Sequence, residues 1–165
     1  MKYYLAYGSN LNVEQMKYRC PHARKCGTSK IQDYELVFRR GFLTIEPKKG
    51  SFVPVGIWEI TDEDERNLDR YEGYPRFYTK KDIPMAFTGW DHDGNSYVMH
   101  KNCLVYIMNP GFPIEPPSVT YVRTVNQGYA DFGFDMDDWE KLIQARMRSE
   151  PSFYTTVSTT KVDPK

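Results

Sequence analysis

An α+β fold is predicted by three observations on this 165-residue chain. Strand-like segments crowd the first two thirds, helical periodicity is sparser and concentrates late, and the two never settle into the regular strand–helix alternation of a parallel doubly wound sheet.

The elements follow in order. Residues 3–7, Tyr-Tyr-Leu-Ala-Tyr, read as a first strand that ends in Gly8-Ser9-Asn10. Residues 13–19 read as a helix, because Val13, Met16 and Cys20 share a face and Pro21 stops it. Strands are expected at 25–31, 34–39, 43–46 and 55–60. Thr61-Asp62-Glu63-Asp64 fits a capping pattern with an acidic first turn, which opens a helix over 62–72 closed by Gly73 and Pro75. Strands are expected again at 77–85 and 103–108, with Asp93-Gly94-Asn95 as a turn between them. Two helices close the pattern: 119–128, opened by Ser118, and 137–147, with Trp139, Leu142, Ile143 and Met147 on one face. Residues 1–150 should form one domain with a single core, and 151–165 a Thr/Ser-rich tail that either docks as a last strand or stays loosely attached.

Composition narrows the function classes. Lys plus Arg and Asp plus Glu balance at 22 each and no basic tract occurs, so neither nucleic acid nor an anionic membrane is a natural partner. The longest clean apolar run, Cys103-Leu104-Val105-Tyr106-Ile107-Met108, is far too short to span a bilayer, and no signal peptide precedes the first strand. Three cysteines without a Cys-x-x-Cys pair suit reduced thiols in a cytoplasm. Cys20, His22 and Cys26 lack zinc spacing, and no metal or cofactor is expected. His92 and His100 read as surface or strand residues flanking the turn. Arg39-Arg40 reads as a solvated strand end or as a partner for a substrate carboxylate. No heptad or apolar stripe announces an oligomer interface.

Two segments carry chemistry. Tyr7-Gly8-Ser9-Asn10 puts backbone N–H groups and two polar side chains at a strand-to-helix junction, which is either a turn with a helix cap or an oxyanion cradle. Gly8 admits backbone angles closed to other residues and close approach of a ligand. Neither common nucleotide loop, Gly-x-x-x-x-Gly-Lys-Ser/Thr or Gly-x-Gly-x-x-Gly, is present. In Leu68-Asp69-Arg70-Tyr71-Glu72-Gly73, Glu72 lies four residues after the apolar Leu68 and so shares its inward face at a helix C-terminus. Lost hydration and the negative end of the helix dipole both disfavour the ionised carboxylate, so its pKa should rise toward neutrality unless Arg70 or Arg76 opposes it. Glu72 is then either a helix-end residue bound to local backbone or a proton carrier.

Together these segments resemble the gamma-glutamylcyclotransferases and the related avirulence-induced-gene-like proteins. Tyr7-Gly8-Ser9-Asn10-Leu11 is similar to that family's N-terminal loop, and Leu68-Asp69-Arg70-Tyr71-Glu72-Gly73 to its segment bearing the catalytic glutamate. Pro116-Pro117-Ser118-Val119-Thr120-Tyr121 resembles the opening of its late helix; Gly128, Gly133 and Trp139-Glu140-Lys141-Leu142 follow in family order. The resemblance implies a small mixed β-barrel flanked by helices. It also implies a cofactor-independent reaction in which the α-amine of a γ-glutamyl compound attacks its own γ-amide carbonyl, releasing 5-oxoproline and an amine. Glu72 is implied as catalytic, with Tyr7, Gly8, Ser9, Asn10, Leu11, Tyr78 and Tyr121 binding substrate. The Gly73-to-Phe77 link is shorter than in the better-known branch, which points to a small amine or amino acid as leaving group. A noncatalytic module that binds γ-glutamyl or other carboxylate ligands in the same pocket is the alternative. A nucleotide at the Gly8 loop is a weaker third.

Overall fold

The computed structural model describes residues 1–151. Five strands, β1 (Lys2–Ala6), β2 (Arg24–Arg39), β3 (Phe42–Ile60), β4 (Tyr78–Trp90) and β5 (Ser96–Met108), close into a barrel in the order β1-β3-β2-β4-β5. The sheet is mixed: β1 runs parallel to β5, pairing Tyr3 with Cys103 and Tyr4 with Leu104, while the other pairs are antiparallel. Four helices flank it: α1 (Val13–Arg19), α2 (Asp62–Glu72), α3 (Val119–Asp131) and α4 (Met136–Ser149). The α+β barrel is the expected architecture. The expected tail, from residue 152 on, lies outside the described residues.

The strands are longer than their apolar runs. The expected segments 25–31 and 34–39 merge into β2, and 43–46 and 55–60 into β3. Their apparent break has a physical basis in the register: Gln32 pairs with Phe52 and Tyr34 with Pro47, so Asp33 alone faces residues 48–51. Asp33 adopts a positive φ of 63° and its carboxylate accepts a hydrogen bond from the Gly50 N–H at 2.9 Å, which holds the bulge. The β4–β5 hairpin turns where expected, with Asp91 accepting from the N–H groups of Asp93 and Asn95; His92 and His100 are exposed.

Helix boundaries follow their caps. Asn12, rather than Ser9 or Asn10, caps α1 by accepting from the Gln15 N–H at 3.0 Å, while residues 9–11 form a short 3-10 turn. Thr61 and Asp64 form a reciprocal capping box on α2, and Gly73 ends it in the left-handed region at φ 69°. The last helix corrects the expected face. On α4 the buried positions are Asp138, Leu142, Ala145 and Ser149, whereas Ile143 and Met147 are exposed. The small side chains of Ala145 and Ser149 let the helix lie close on β2, and that proximity outweighs the apolarity of residues facing outward.

One core joins the barrel interior to the helices. Leu5, Ile57, Ile60 and Val105 are wholly buried inside the strands; Leu11, Met16, Leu68, Val125 and Leu142 are buried where turn and helices cover them. Each fully buried aliphatic side chain contributes about 1.5–3 kcal/mol. Cys20, Cys26 and Cys103 are buried free thiols, and the Cys20 Sγ–H points to the Asp64 carbonyl. Among the described residues no group of three or more His, Cys, Asp or Glu side chains is placed to hold a metal, and no helix is long and apolar enough to cross a membrane.

Candidate active site

Because β1 stops at Ala6 and α2 stops at Glu72, the Gly8–Asn10 turn and the α2 C-terminus meet at one end of the barrel. A cavity of about 360 Å³ opens between them. Tyr7, Gly8, Ser9, Asn10, Glu72, Tyr78 and Tyr121 all line it, so segments far apart in sequence share one space. Leu11 does not. Its side chain is wholly buried beneath the turn against Gly128 of α3, where a Cβ on that glycine would come within 2.6 Å of the Leu11 Cβ. Leu11 anchors the turn to α3 and leaves its neighbours facing the cavity.

Gly8 opens the turn that follows β1. Its φ is −125°, outside the left-handed region, but a Cβ there would lie 3.0 Å from the Tyr121 hydroxyl and 3.6 Å from the Leu43 Cβ. A side chain at this position would crowd the Tyr121 hydroxyl. The N–H groups that begin the 3-10 turn have no intrahelical acceptors, which leaves donors at the cavity edge.

Asn10 is held on every side. Its Nδ2 donates to the Tyr4 hydroxyl at 2.9 Å and to Glu72 Oε1 at 3.4 Å, its Oδ1 accepts from Arg19 Nη1 at 2.6 Å, and its carbonyl accepts from Trp58 Nε1 at 2.9 Å. It is 3 % exposed, so these contacts fix the side chain. Glu72 is thereby tied to the turn through Asn10. Burial of its carboxyl pushes the Glu72 pKa up from 4.5 to about 7, and Arg19 pulls in the opposite direction.

The opposing cation is thus neither Arg70 nor Arg76. Arg70 bonds to Asn67, and the Arg76 guanidinium lies 5.1 Å from the Phe77 ring centroid. Arg19, at the last position of α1, reaches across to Asn10 and to Ser9 Oγ at 3.3 Å, with its guanidinium 3.6 Å over the Tyr71 ring. Nothing in the linear pattern distinguishes Arg19 from a solvated helix-end charge; the signal is its position one turn after Gln15, to which Nη2 donates at 2.7 Å.

The tyrosines form the remaining wall. Tyr78 donates to the Leu43 carbonyl at 3.0 Å, and the Leu43 N–H donates to the Tyr121 hydroxyl at 3.2 Å, so both grip the same residue of β3. Tyr7 donates to the Tyr106 carbonyl at 2.6 Å, and Tyr106 donates to Asp69 at 2.6 Å. Burial first, and then for Tyr4 and Tyr7 the Glu72 charge, raises the phenol pKa values of Tyr4, Tyr7, Tyr78 and Tyr121. These phenols remain protonated donors at neutral pH. Tyr4 and Tyr106 were hidden among strand aromatics; only their alternation with Leu5 and Val105 hinted which way they point.

Fold and cavity together define a class: a small-molecule pocket at a barrel end, walled by tyrosines, the Gly8–Asn10 turn and two arginines, Arg40 and Arg70, around one carboxyl able to exchange a proton near pH 7. The chain belongs to the family described as gamma-glutamyl cyclotransferase, AIG2-like, whose pattern matches residues 4–141. It is 27% identical to the gamma-glutamylcyclotransferase of Homo sapiens over 92% of this chain and 80% of that protein, and 27% identical to that of Mus musculus over 84% and 76%. A solved gamma-glutamyl cyclotransferase structure, 25% identical, superposes with a TM-score of 0.69 over 93% of this chain and 90% of the other.

Proposed function

We propose that the protein is a cofactor-independent γ-glutamylcyclotransferase that cyclises γ-glutamyl compounds to 5-oxoproline with release of an amine or amino acid. Family membership supports the reaction class, and one observation carries the assignment to this cavity: Glu72, with a carboxyl pKa of about 7, lines it beside the Gly8–Asn10 turn.

The proton chemistry follows from that value. An α-ammonium group has a reference pKa of about 7.7 to 8.0, so a carboxylate matched near 7 takes its proton at little cost, where one near 4 would pay several kcal/mol. The freed amine attacks the γ-carbonyl carbon. A C–N bond closes the five-membered ring and the carbonyl oxygen becomes an oxyanion; its collapse breaks the bond to the departing nitrogen, which takes the proton back from Glu72, and the Glu72 carboxylate then relays the second proton of the ring nitrogen to the released amine, leaving a neutral lactam and an ammonium product. Turn N–H groups and the Tyr121 phenol, which accepts from Leu43 and keeps its own proton free, are the donors available to hold the glutamyl moiety and the oxyanion, while Tyr78, committed to the Leu43 carbonyl, shapes the wall. Asn10 positions Glu72 and does not itself need to touch substrate.

The unit that carries this activity is residues 1–150, supported by the single core running from β1 to α4. Its substrate is a small molecule, and three buried free thiols suit a reducing compartment, which we assign as the cytoplasm.

The test is 5-oxoproline release, read by mass spectrometry, from γ-glutamyl amino acids, γ-glutamyl-ε-lysine and glutathione, with wild type and Glu72→Gln compared. Release by wild type and at least a ~10²-fold loss in the variant is expected for removal of a general acid–base. Ligand binding without release from any substrate would instead assign the pocket to a noncatalytic binding module.

A further inference from the structure

Two adjacent arginines at the β2–β3 turn are used in opposite ways. Arg39 is fully engaged: its guanidinium meets Glu46 at 2.5 and 3.2 Å and donates to the Phe112 carbonyl at 2.8 Å. Arg40, in the left-handed region at φ 55°, instead lines the cavity. Its guanidinium carbon lies 4.2 Å from the Phe77 ring centroid, 5.0 Å from that of Phe112 and 5.6 Å from that of Phe42. Among the described residues no carboxylate forms an ion pair with it, and its Nε is buried with no acceptor.

A guanidinium stacked on an aromatic face keeps its in-plane terminal donors free, and it is these, at the cavity, that a ligand carboxylate would meet. The aromatic stack also fixes the fork in place, so little side-chain entropy is lost when an anion arrives. Position says which anion. Arg19 is the cation felt by Glu72, whereas the Arg40 charge reaches the Tyr78 phenol, so Arg40 belongs to the Phe77–Tyr78 side of the cavity. With the reacting α-amine at Glu72, the glutamyl α-carboxylate, attached to the same carbon, stays near the Gly8–Asn10 turn. The group free to extend toward Phe77 is the departing amine.

We propose that Arg40, backed by Phe77 and Phe112, forms a carboxylate subsite at the cavity mouth that selects γ-glutamyl compounds whose leaving amine itself bears a carboxylate. The assignment of this carboxylate to the leaving side rests on the cyclotransferase reading.

The experiment is calorimetric titration of Glu72→Gln protein, which binds without turnover, and of the same protein carrying Arg40→Gln. Three ligands are compared: γ-glutamyl-alanine, its analogue amidated at the alanine carboxylate, and its analogue amidated at the glutamyl α-carboxylate. With Arg40 present, the alanine-side amide is expected to bind at least about tenfold more weakly, the scale of a charge-assisted hydrogen bond pair. Arg40→Gln should bring that ratio to within about twofold while discrimination against the α-amide persists. Arg40→Lys, which keeps a cation over Phe77, should give an intermediate ratio and covers the case in which loss of the stack unfolds the turn. A ratio near one with Arg40 present, a ratio indifferent to both substitutions, loss of the α-amide discrimination instead, or binding of none of the three overturns the subsite. Release of 5-oxoproline by wild type, scored separately, distinguishes the two ideas: release without an Arg40-dependent ratio sinks the subsite alone, and the ratio without release leaves the subsite standing and sinks the cyclotransferase reading.

Discussion

Replacing Glu72 by Gln should stabilise the fold at alkaline pH while changing it little in acid. The folded-state pKa of Glu72 lies at about 7 against an ordinary 4.5, because burial costs more than Arg19 returns. Below 4.5 both folded and unfolded chains hold the proton, and Glu72 contributes no pH dependence. Between 4.5 and 7 the unfolded chain releases it and the folded chain keeps it, so wild-type stability falls as pH rises; above 7 the whole deficit is present. At 1.36 kcal/mol per pH unit the displacement amounts to roughly 3 kcal/mol, an upper value because solvent reaches the cavity. Gln is nearly isosteric with the protonated acid and carries no charge to desolvate. Urea melts of both proteins across pH 4.5 to 8.5 measure the difference directly, and the exposed His22, His92 and His100 are common to both and cancel. The expected difference is near zero at the acid end and grows to about 3 kcal/mol in favour of the variant by pH 8. Parallel stability curves would show that Glu72 titrates as an ordinary surface carboxylate, and the proton-transfer role would lose its basis.

Two further outcomes follow from neighbouring contacts. Arg19→Leu removes the cation that favours ionised Glu72, so the acid limb of kcat/KM against pH, which rises through about 7 in wild type, should move to higher pH; an unmoved limb would mean that Arg19 serves only to hold Asn10. Gly128→Ala would gain about 1 kcal/mol in an open helix, but here the new Cβ meets Leu11 at 2.6 Å and Asn12 N at 2.8 Å, and overpacking of roughly 1–3 kcal/mol should dominate. Thermal melting of that variant at or above the wild-type midpoint would refute the idea that α3 clamps the site turn.

The sequence by itself determined the elements whose signals are local. α1 and α2 span the residues their periodicity and stops predict, and α2 opens on the expected Thr61 cap, since a helix terminus is set by residues within one turn of it. The Glu72 environment was legible for the same reason: four residues from Leu68 at a helix end, its carboxyl had to face inward. Tertiary structure decided what depends on distant partners. The two long strands exist because β2 and β3 pair across the polar break at Asp33, and α4 buries its small residues because β2 lies under them. Tyr4, Tyr106 and Arg40 reach the cavity only because barrel closure brings the ends of β1, β2, α2 and β5 together, and Arg19 backs its wall through Asn10 and Ser9. Hydrophobic periodicity records which face of an element is inward; it does not record which other element's side chains it will meet there, and a site is made of those meetings.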